Sequence, residues 1–272
     1  MDLLGIFVLI LTIIVGLVVG SFLNVVIYRF PLNMSLAKPG SHCPKCNSPI
    51  KWYDNIPVIS YIVLKGKCRH CKAHISIRYP LVEILNAVLW FCCFLAFTNY
   101  IIPTNDMNWL KFVVSCVICS TMVCIFFCDL DNKEIPELFQ GILLICGLLL
   151  LLDNPTQFNI MQKVFGFIGA AGLFMIVNLI FRLIKKRDGI GFGDVELVAC
   201  SGLIIGGYSM IFSLIISCVV GGIILIILYY VNSKKEKDKE YPFAVLLVPG
   251  ILLGLFVGQF IVNWYLSVLG VM

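Results

Sequence analysis

The stretch Leu3–Tyr28, LLGIFVLILTIIVGLVVGSFLNVVIY, contains no charged residue. It exceeds the roughly 20 residues that a helix needs to cross about 30 Å of hydrocarbon. Its apolar positions do not alternate with period two, so it is not a strand of a closed barrel. This run sets the expected fold class, an all-α polytopic membrane protein. Working outward, comparable runs recur at about 80–102, 110–128, 138–152, 160–181, 195–208, 209–231 and 243–269. The count is therefore eight spans. The fourth and sixth are short, and seven is the alternative. Composition agrees: the 272 residues are 60% hydrophobic and only 13% charged, with mean hydropathy +1.01, too apolar for a domain with a fully solvated surface. No basic residue precedes the first run and no small-residue cleavage site follows it, so it reads as a retained anchor.

Lys and Arg orient the expected bundle. Nine basic residues and one acid, Asp54, fall between Arg29 and Tyr79. Further basic clusters occur at Arg182, Lys185, Lys186 and Arg187, and at Lys234, Lys235, Lys237 and Lys239. The segments near 99–109 and 153–159 hold almost none, and Lys111 stands at a helix start. The positive-inside rule then puts the basic loops in the cytoplasm and both termini outside. That topology accounts for the net charge of +5, and no nucleic-acid partner is needed to explain it.

The long loop after the first run contains HCPKCNSPI and KGKCRHCKAHISIRYP, a C-x2-C pair, 21 intervening residues and a second C-x2-C pair. Four thiolates in two close pairs suit tetrahedral zinc, and a reducing cytoplasm disfavours the alternative of two disulfides. Cys43, Cys46, Cys68 and Cys71 are the expected ligands, with His42 and His70 as weaker substitutes. A complete ligand set implies a structural metal, which would supply folding energy to a loop too short to build a core. The other nine cysteines, including Cys92, Cys93, Cys116 and Cys119, read as packing residues. Thirteen cysteines in one chain also hint at a reducing host.

Acids at the ends of membrane spans need a partner or a purpose. FFCDLDNKEIPELF places Asp129 at the inner end of the third span, with Asp131 just beyond, and GIGFGDVELV places Asp194 at the inner start of the sixth. Both fall on one side of the membrane, 65 positions apart in sequence. A close pair of carboxylates in a partly dry site shares one proton, the arrangement that peptide hydrolysis uses. Gly189, Gly191 and Gly193 would let an extended substrate approach the acid. The plainer reading makes Asp194 a helix cap and Asp129 an ordinary end-of-span residue.

Taken in order, GLVVGSFLNVVIYRFP, the two cysteine pairs, DNIPVISYIVLKGKCRHC leading into ISIRYPLVE, DLDNKEIPE and GIGFGDVEL resemble the bacterial type IV prepilin peptidases, the leader peptidase/N-methyltransferases of the GxGD aspartic protease class. The resemblance covers most of the chain. It implies a catalytic pair at Asp129 and Asp194, with Asp131 second in line for the first position, and Gly191 and Gly193 in the active-site loop. Glu196-Leu197 stands where the family usually has Lys-Leu, and Glu137 follows Pro136 where Asp or Asn is usual. The resemblance implies cleavage of a short basic leader from prepilins and pseudopilins, after Gly and commonly before Phe, at the cytoplasmic face of the inner membrane. S-adenosylmethionine-dependent N-methylation of the new terminus would follow. The implied domains are residues 1–102, associated with methylation, and 103–272, the peptidase. Gly16, Gly20, Ser21, Asn24 and Arg29 match the family's first motif, and Glu83 lies where a family Glu often does. Asn24, Arg29 and Glu83 are the methyltransferase candidates. Gly16 and Gly20 also form G-x-x-x-G, a close-packing motif, and Asn24 could make an interhelical hydrogen bond. A peptidase without methylation, a small transporter using the paired acids, and a zinc-loop scaffold for pilus assembly are the competing readings. Membrane lipid is the expected surroundings, and the oligomeric state is left open.

Overall fold

The computed structural model describes residues 3–97, 108–153, 156–186, 189–231, 242–268 and 270. Arg187 and the basic cluster Lys234 to Lys239, used above for orientation, lie outside the described residues. Ten α-helices are present among those described: α1 (Leu3–Arg29), α2 (Ile59–Val63), α3 (Arg78–Phe97), α4 (Trp109–Asn132), α5 (Glu137–Asp153), α6 (Gln157–Lys185), α7 (Phe192–Ile205), α8 (Gly207–Val231), α9 (Ala244–Leu253) and α10 (Gln259–Val268). No strand occurs among them; the two isolated β-bridges lie in the cysteine loop. Among the described residues, six segments are long and apolar enough to cross a membrane: α1, α3, α4, α6, α8 and the α9–α10 run. The fourth and sixth expected spans are α5 and α7, too short to qualify alone, so the eight-span count stands as an approximation. The last span is interrupted by Pro249 and by a π-helical turn, Gly254–Gly258. A proline removes a backbone donor and forces such adjustments.

The chain forms two compact units, residues 1–124 and 125–272, with the boundary inside α4. In the first unit, α1 packs on α3 through its glycines. A Cβ on Gly20 would come within 2.7 Å of the Glu83 Cα, and one on Gly16 within 3.0 Å of the Ala87 Cα. The close approach brings polar side chains onto backbone: Asn86 Nδ2 donates to the Gly16 carbonyl at 2.7 Å, and Ser120 Oγ donates to Asn86 Oδ1 at 2.9 Å. Trp90 Nε1 donates in turn to Ser120 Oγ at 3.0 Å. In a medium without water these groups must satisfy one another, so the chain of bonds specifies how α1, α3 and the first part of α4 pack.

In the second unit α7 is almost wholly enclosed; Val195, Leu197, Val198 and the residues through Ile204 are buried. Glycine backbone touches glycine backbone where Gly166 of α6 meets Gly202 of α7, leaving no room for a Cβ on either. Gly147 of α5 accommodates Leu203 in the same way. A fully buried short helix cannot shift without repacking its neighbours, which makes its first turn a rigid platform. By contrast, 17% of the apolar window of α6 is buried, and its outer face carries exposed Phe165, Ile168, Ile176 and Leu183, as a lipid-facing helix should.

Candidate functional site

Asp129 sits in the last turn of α4 and is 5% exposed, whereas Asp131 is exposed. The Asp129 carboxylate lies at the N-terminus of α9, where the backbone N–H of Val245 donates to Oδ2 at 3.2 Å and that of Ala244 also donates. Helix N-termini present unpaired N–H groups, and here two of them hold the carboxylate in place. Asp194 is the third residue of α7, whose N-cap is Gly191, and the Gly191 N–H donates back to the Asp194 carboxylate. The geometry resembles a capping box, with the acid in the third position and not at the cap itself. Asp194 is half-buried, and the charge of Asp129 acts on it. The second unit thus places the two expected acids within electrostatic reach of one another. A Cβ on Gly191 would lie 3.2 Å from Asp194 Oδ2, so glycine at this position keeps the carboxylate's flank open.

Two residues that hold this turn were not singled out in the sequence. Gln140, buried on α5, donates from Nε2 to the Gly193 carbonyl at 2.8 Å. Asn178 on α6 accepts from the N–H groups of Gly189 and Ile190 at 2.9 and 3.1 Å. Both are amides in otherwise apolar helices, and that placement was the available signal: a polar side chain at membrane depth has a partner. Glu196 is half-buried on the same helix, beyond the turn.

In the first unit the four cysteines converge. Their sulfurs all lie within 4.8 Å of one another, and Cys43 Sγ is 3.8 Å from Cys71 Sγ. A tetrahedron with Zn–S of about 2.3 Å has an edge of about 3.8 Å, so the donor set fits zinc. The pairs are two copies of one knuckle. The Cys43 N–H bonds the Ser48 carbonyl as Cys68 bonds Ala73, and Asn47 bonds Cys43 as Lys72 bonds Cys68. Asn47 and Lys72 have φ of 54° and 58°, the left-handed turn that closes each knuckle. Hydrogen bonds from the Ser48 side chain and backbone pull Cys46 down to about 6 and the Cys71 and His70 backbone lowers Cys68, whereas, against a lowering bond from the Ala73 backbone, burial and the neighbouring thiols push Cys71 up to about 11. Neither His42 nor His70 joins the cluster among the described residues; His42 Nδ1 is 2.9 Å from the Gly40 carbonyl. Arg69, inside the second knuckle, forks onto Asp54 with Nε to Oδ2 at 2.8 Å and lies over the Tyr53 ring.

The methyltransferase candidates surround the base of this loop. Asn24 Nδ2 bridges α1 to α3, donating to the Gly20 and Tyr79 carbonyls at 3.3 and 3.1 Å. Glu83 is buried; its Oε2 accepts from the Val58 N–H at 2.7 Å, and Ser21 bonds it as well. Val58 occupies a γ-turn with φ 60° and ψ −48°, closed by a bond from the Ile59 N–H to the Pro57 carbonyl. A β-branched residue in that conformation is strained, and Glu83 holds it there. Arg29 is 7% exposed and donates from Nη1 to the carbonyls of Ser35 and Leu36.

Two family models match the chain, the Bacterial Peptidase A24 N-terminal domain over residues 14–97 and the Type IV leader peptidase family over residues 116–226. The prepilin leader peptidase/N-methyltransferase of Aeromonas salmonicida is 32% identical over 93% of this chain and 91% of that protein. The chain belongs to the type IV leader peptidase family. The protein of the same name from Vibrio cholerae is 34% identical to this family member over 73% of the chain and 78% of that relative. Its Myxococcus xanthus counterpart is 32% identical over 84% of the chain, which spans 65% of that longer protein's length. No solved structure matches this leader peptidase family member. The first matched segment contains Asn24, Arg29, Glu83 and the four cysteines, and the second contains Asp129 and Asp194.

Proposed function

We propose that this protein is a membrane aspartic endopeptidase that removes the leader of type IV prepilins and pseudopilins and then N-methylates the new terminus. The observation that carries the reading is the pairing of buried Asp129, held at the α9 N-terminus, with Asp194 on the turn of GIGFGD. The names of its relatives, which join a leader peptidase to an N-methyltransferase, support both halves. The basic residues of the loop between α1 and α3 support, by the positive-inside rule, the reading of a cytoplasmic face of the inner membrane as the side on which a substrate leader would be cut.

In cleavage, the pair holds one proton between its two carboxylates. The ionised carboxylate takes a proton from water as the water oxygen attacks the scissile carbonyl, and the protonated one donates to the carbonyl oxygen. Collapse of the tetrahedral intermediate breaks the C–N bond, and the leaving nitrogen takes a proton from the dyad. The N–H groups of Val245 and Ala244 orient Asp129, that of Gly191 orients Asp194, and Gln140 fixes the turn below it. Asp131, exposed one turn fragment away, supports the assignment of Asp129 by contrast.

Zn²⁺ held by Cys43, Cys46, Cys68 and Cys71 would act structurally, closing the two knuckles. S-adenosylmethionine supplies an electrophilic methyl group when bound; the chain's task is to bind it and to present the substrate's neutral amine. Asn24, Arg29 and Glu83 of residues 1–102 are the groups proposed to shape that site.

The test is leader removal from a co-expressed prepilin, read by gel shift, with transfer of labelled methyl followed in parallel. Asp129→Ala and Asp194→Ala are expected to abolish cleavage and Asp131→Ala to retain it. Cleavage surviving in all three variants overturns the peptidase reading in favour of a transporter or scaffold. Cleavage without label leaves a peptidase alone.

A further inference from the structure

Arg29 is the least explained residue of the first unit. It is a buried guanidinium, and among the described residues no carboxylate pairs with it; its bonds are to the Ser35 and Leu36 carbonyls from Nη1. A guanidinium carries five N–H donors, so Nε and Nη2 keep donors for another partner. An uncompensated buried cation is costly, and the cost is relieved by an anion. Arg29 also lines a cavity of about 540 Å³ whose wall includes Ser21, Trp52, Asn55 and the backbone around Pro39 and Gly40. That volume is in the range of small-molecule and cofactor sites, and its mix of apolar wall with a few polar groups is typical of them.

We infer that this cavity binds an adenosyl amino acid, with the Arg29 guanidinium paired to the ligand's carboxylate and the Trp52 indole available to the adenine. Three features favour this occupant. The carboxylate meets the one charge in the wall that lacks a counter-charge, and a fork of N–H donors matches its two oxygens. Trp52 is 80% exposed, an indole with a free face, as base stacking requires. Part of the cavity lining is fixed: Glu83 clamps the γ-turn at Val58 immediately after the lining residue Pro57, and Ser21, also in the lining, bonds Glu83. Glu83 is therefore a positioning residue for this wall, with its carboxylate committed to Val58 and Ser21. The inference rests on the methyltransferase half of the proposed function and assigns it a site.

The experiment measures equilibrium binding by calorimetry, using the full-length protein in neutral detergent and in phosphatidylglycerol nanodiscs. The probes are S-adenosylhomocysteine, which keeps the carboxylate, and 5′-methylthioadenosine, which lacks it. Wild type is expected to prefer the first by about 10- to 100-fold, the yield of a charge-assisted pair. Arg29→Gln should bind the two probes alike. Ala37→Trp, which fills the cavity and leaves Arg29 in place, should bind neither, so the inference stays testable if Arg29→Gln fails to fold. A preference unchanged in Arg29→Gln, or undiminished binding in Ala37→Trp, overturns the site while leaving methylation intact. Binding that vanishes in phosphatidylglycerol but not in neutral detergent identifies lipid phosphate as the natural partner of Arg29 and overturns the inference. A wild type that neither binds the first probe nor transfers label removes the methyltransferase reading itself.

Discussion

The tetracysteine loop and the GIGFGD turn are both irregular segments that hold chemistry in place, and they are stabilised by opposite means. Between Ser35 and Ser76 there is almost no enclosed apolar side chain; the loop is shaped by thiol convergence, two matching knuckles, the Arg69–Asp54 fork and the Glu83 clamp on Val58. The turn from Gly189 to Asp194 instead sits on α7, whose residues Val195 to Ile204 are enclosed by packing, with amides from Gln140 and Asn178 fixing the loop before it. A loop outside a core needs discrete bonds, because few of its side chains can be buried. A turn leading into a buried helix inherits rigidity from its neighbours and needs only its polar groups satisfied. One region should therefore fail when the proposed metal is removed and the other through misplacement of a single group.

The sharpest separation is expected from the dyad. Asp129→Asn or Asp194→Asn should lower leader cleavage by about 10²- to 10⁴-fold, the usual share of a positioned acid or base, with bound zinc measured by mass spectrometry left at the wild-type level. Next comes the converse, Cys68→Ser. If the proposed zinc supplies the loop's folding energy, metal content should fall to background and trypsin should cut the loop at least about tenfold faster. If the loop of the metal-free variant resists trypsin as wild type does, the contrast between the two regions is wrong. A smaller effect should follow Gln140→Met, which keeps bulk and removes the donor to Gly193. Cleavage should drop by about tenfold in kcat with KM nearly unchanged, the cost of losing one hydrogen bond to the reacting geometry. The smallest is Gly20→Ala. Its Cβ would press on the Glu83 backbone, and thermal unfolding should report about 1 to 3 kcal/mol of destabilisation without loss of cleavage.

Several of these features were legible beforehand because they are local. The two C-x2-C pairs predict their own knuckles, and the structure brings the four sulfurs together without either histidine. Gly16 and Gly20 signalled close packing by spacing alone, and the packing is there against Ala87 and Glu83. Asn24 does make the interhelical bond that its position within a span suggested, to the Tyr79 carbonyl. Span lengths were read less well. The last span is broken at Gly254–Gly258, and the expected sixth and seventh spans meet at Gly206, whose φ of 84° turns the chain between α7 and α8. Hydropathy reports burial from water and is silent about such breaks.

What the sequence determined by itself was the helical class, the apolar spans and the paired C-x2-C spacing, since each depends on composition or on spacing within a few residues. The tertiary structure alone showed that Asp129 meets the α9 N-terminus and acts electrostatically on Asp194, that Gln140 and Asn178 hold the glycine turn, and that Glu83 is bound to Val58 while Arg29 has no acid beside it among the described residues. Those partners are separated by up to 116 positions. No local pattern encodes such contacts, because they follow from how whole helices pack.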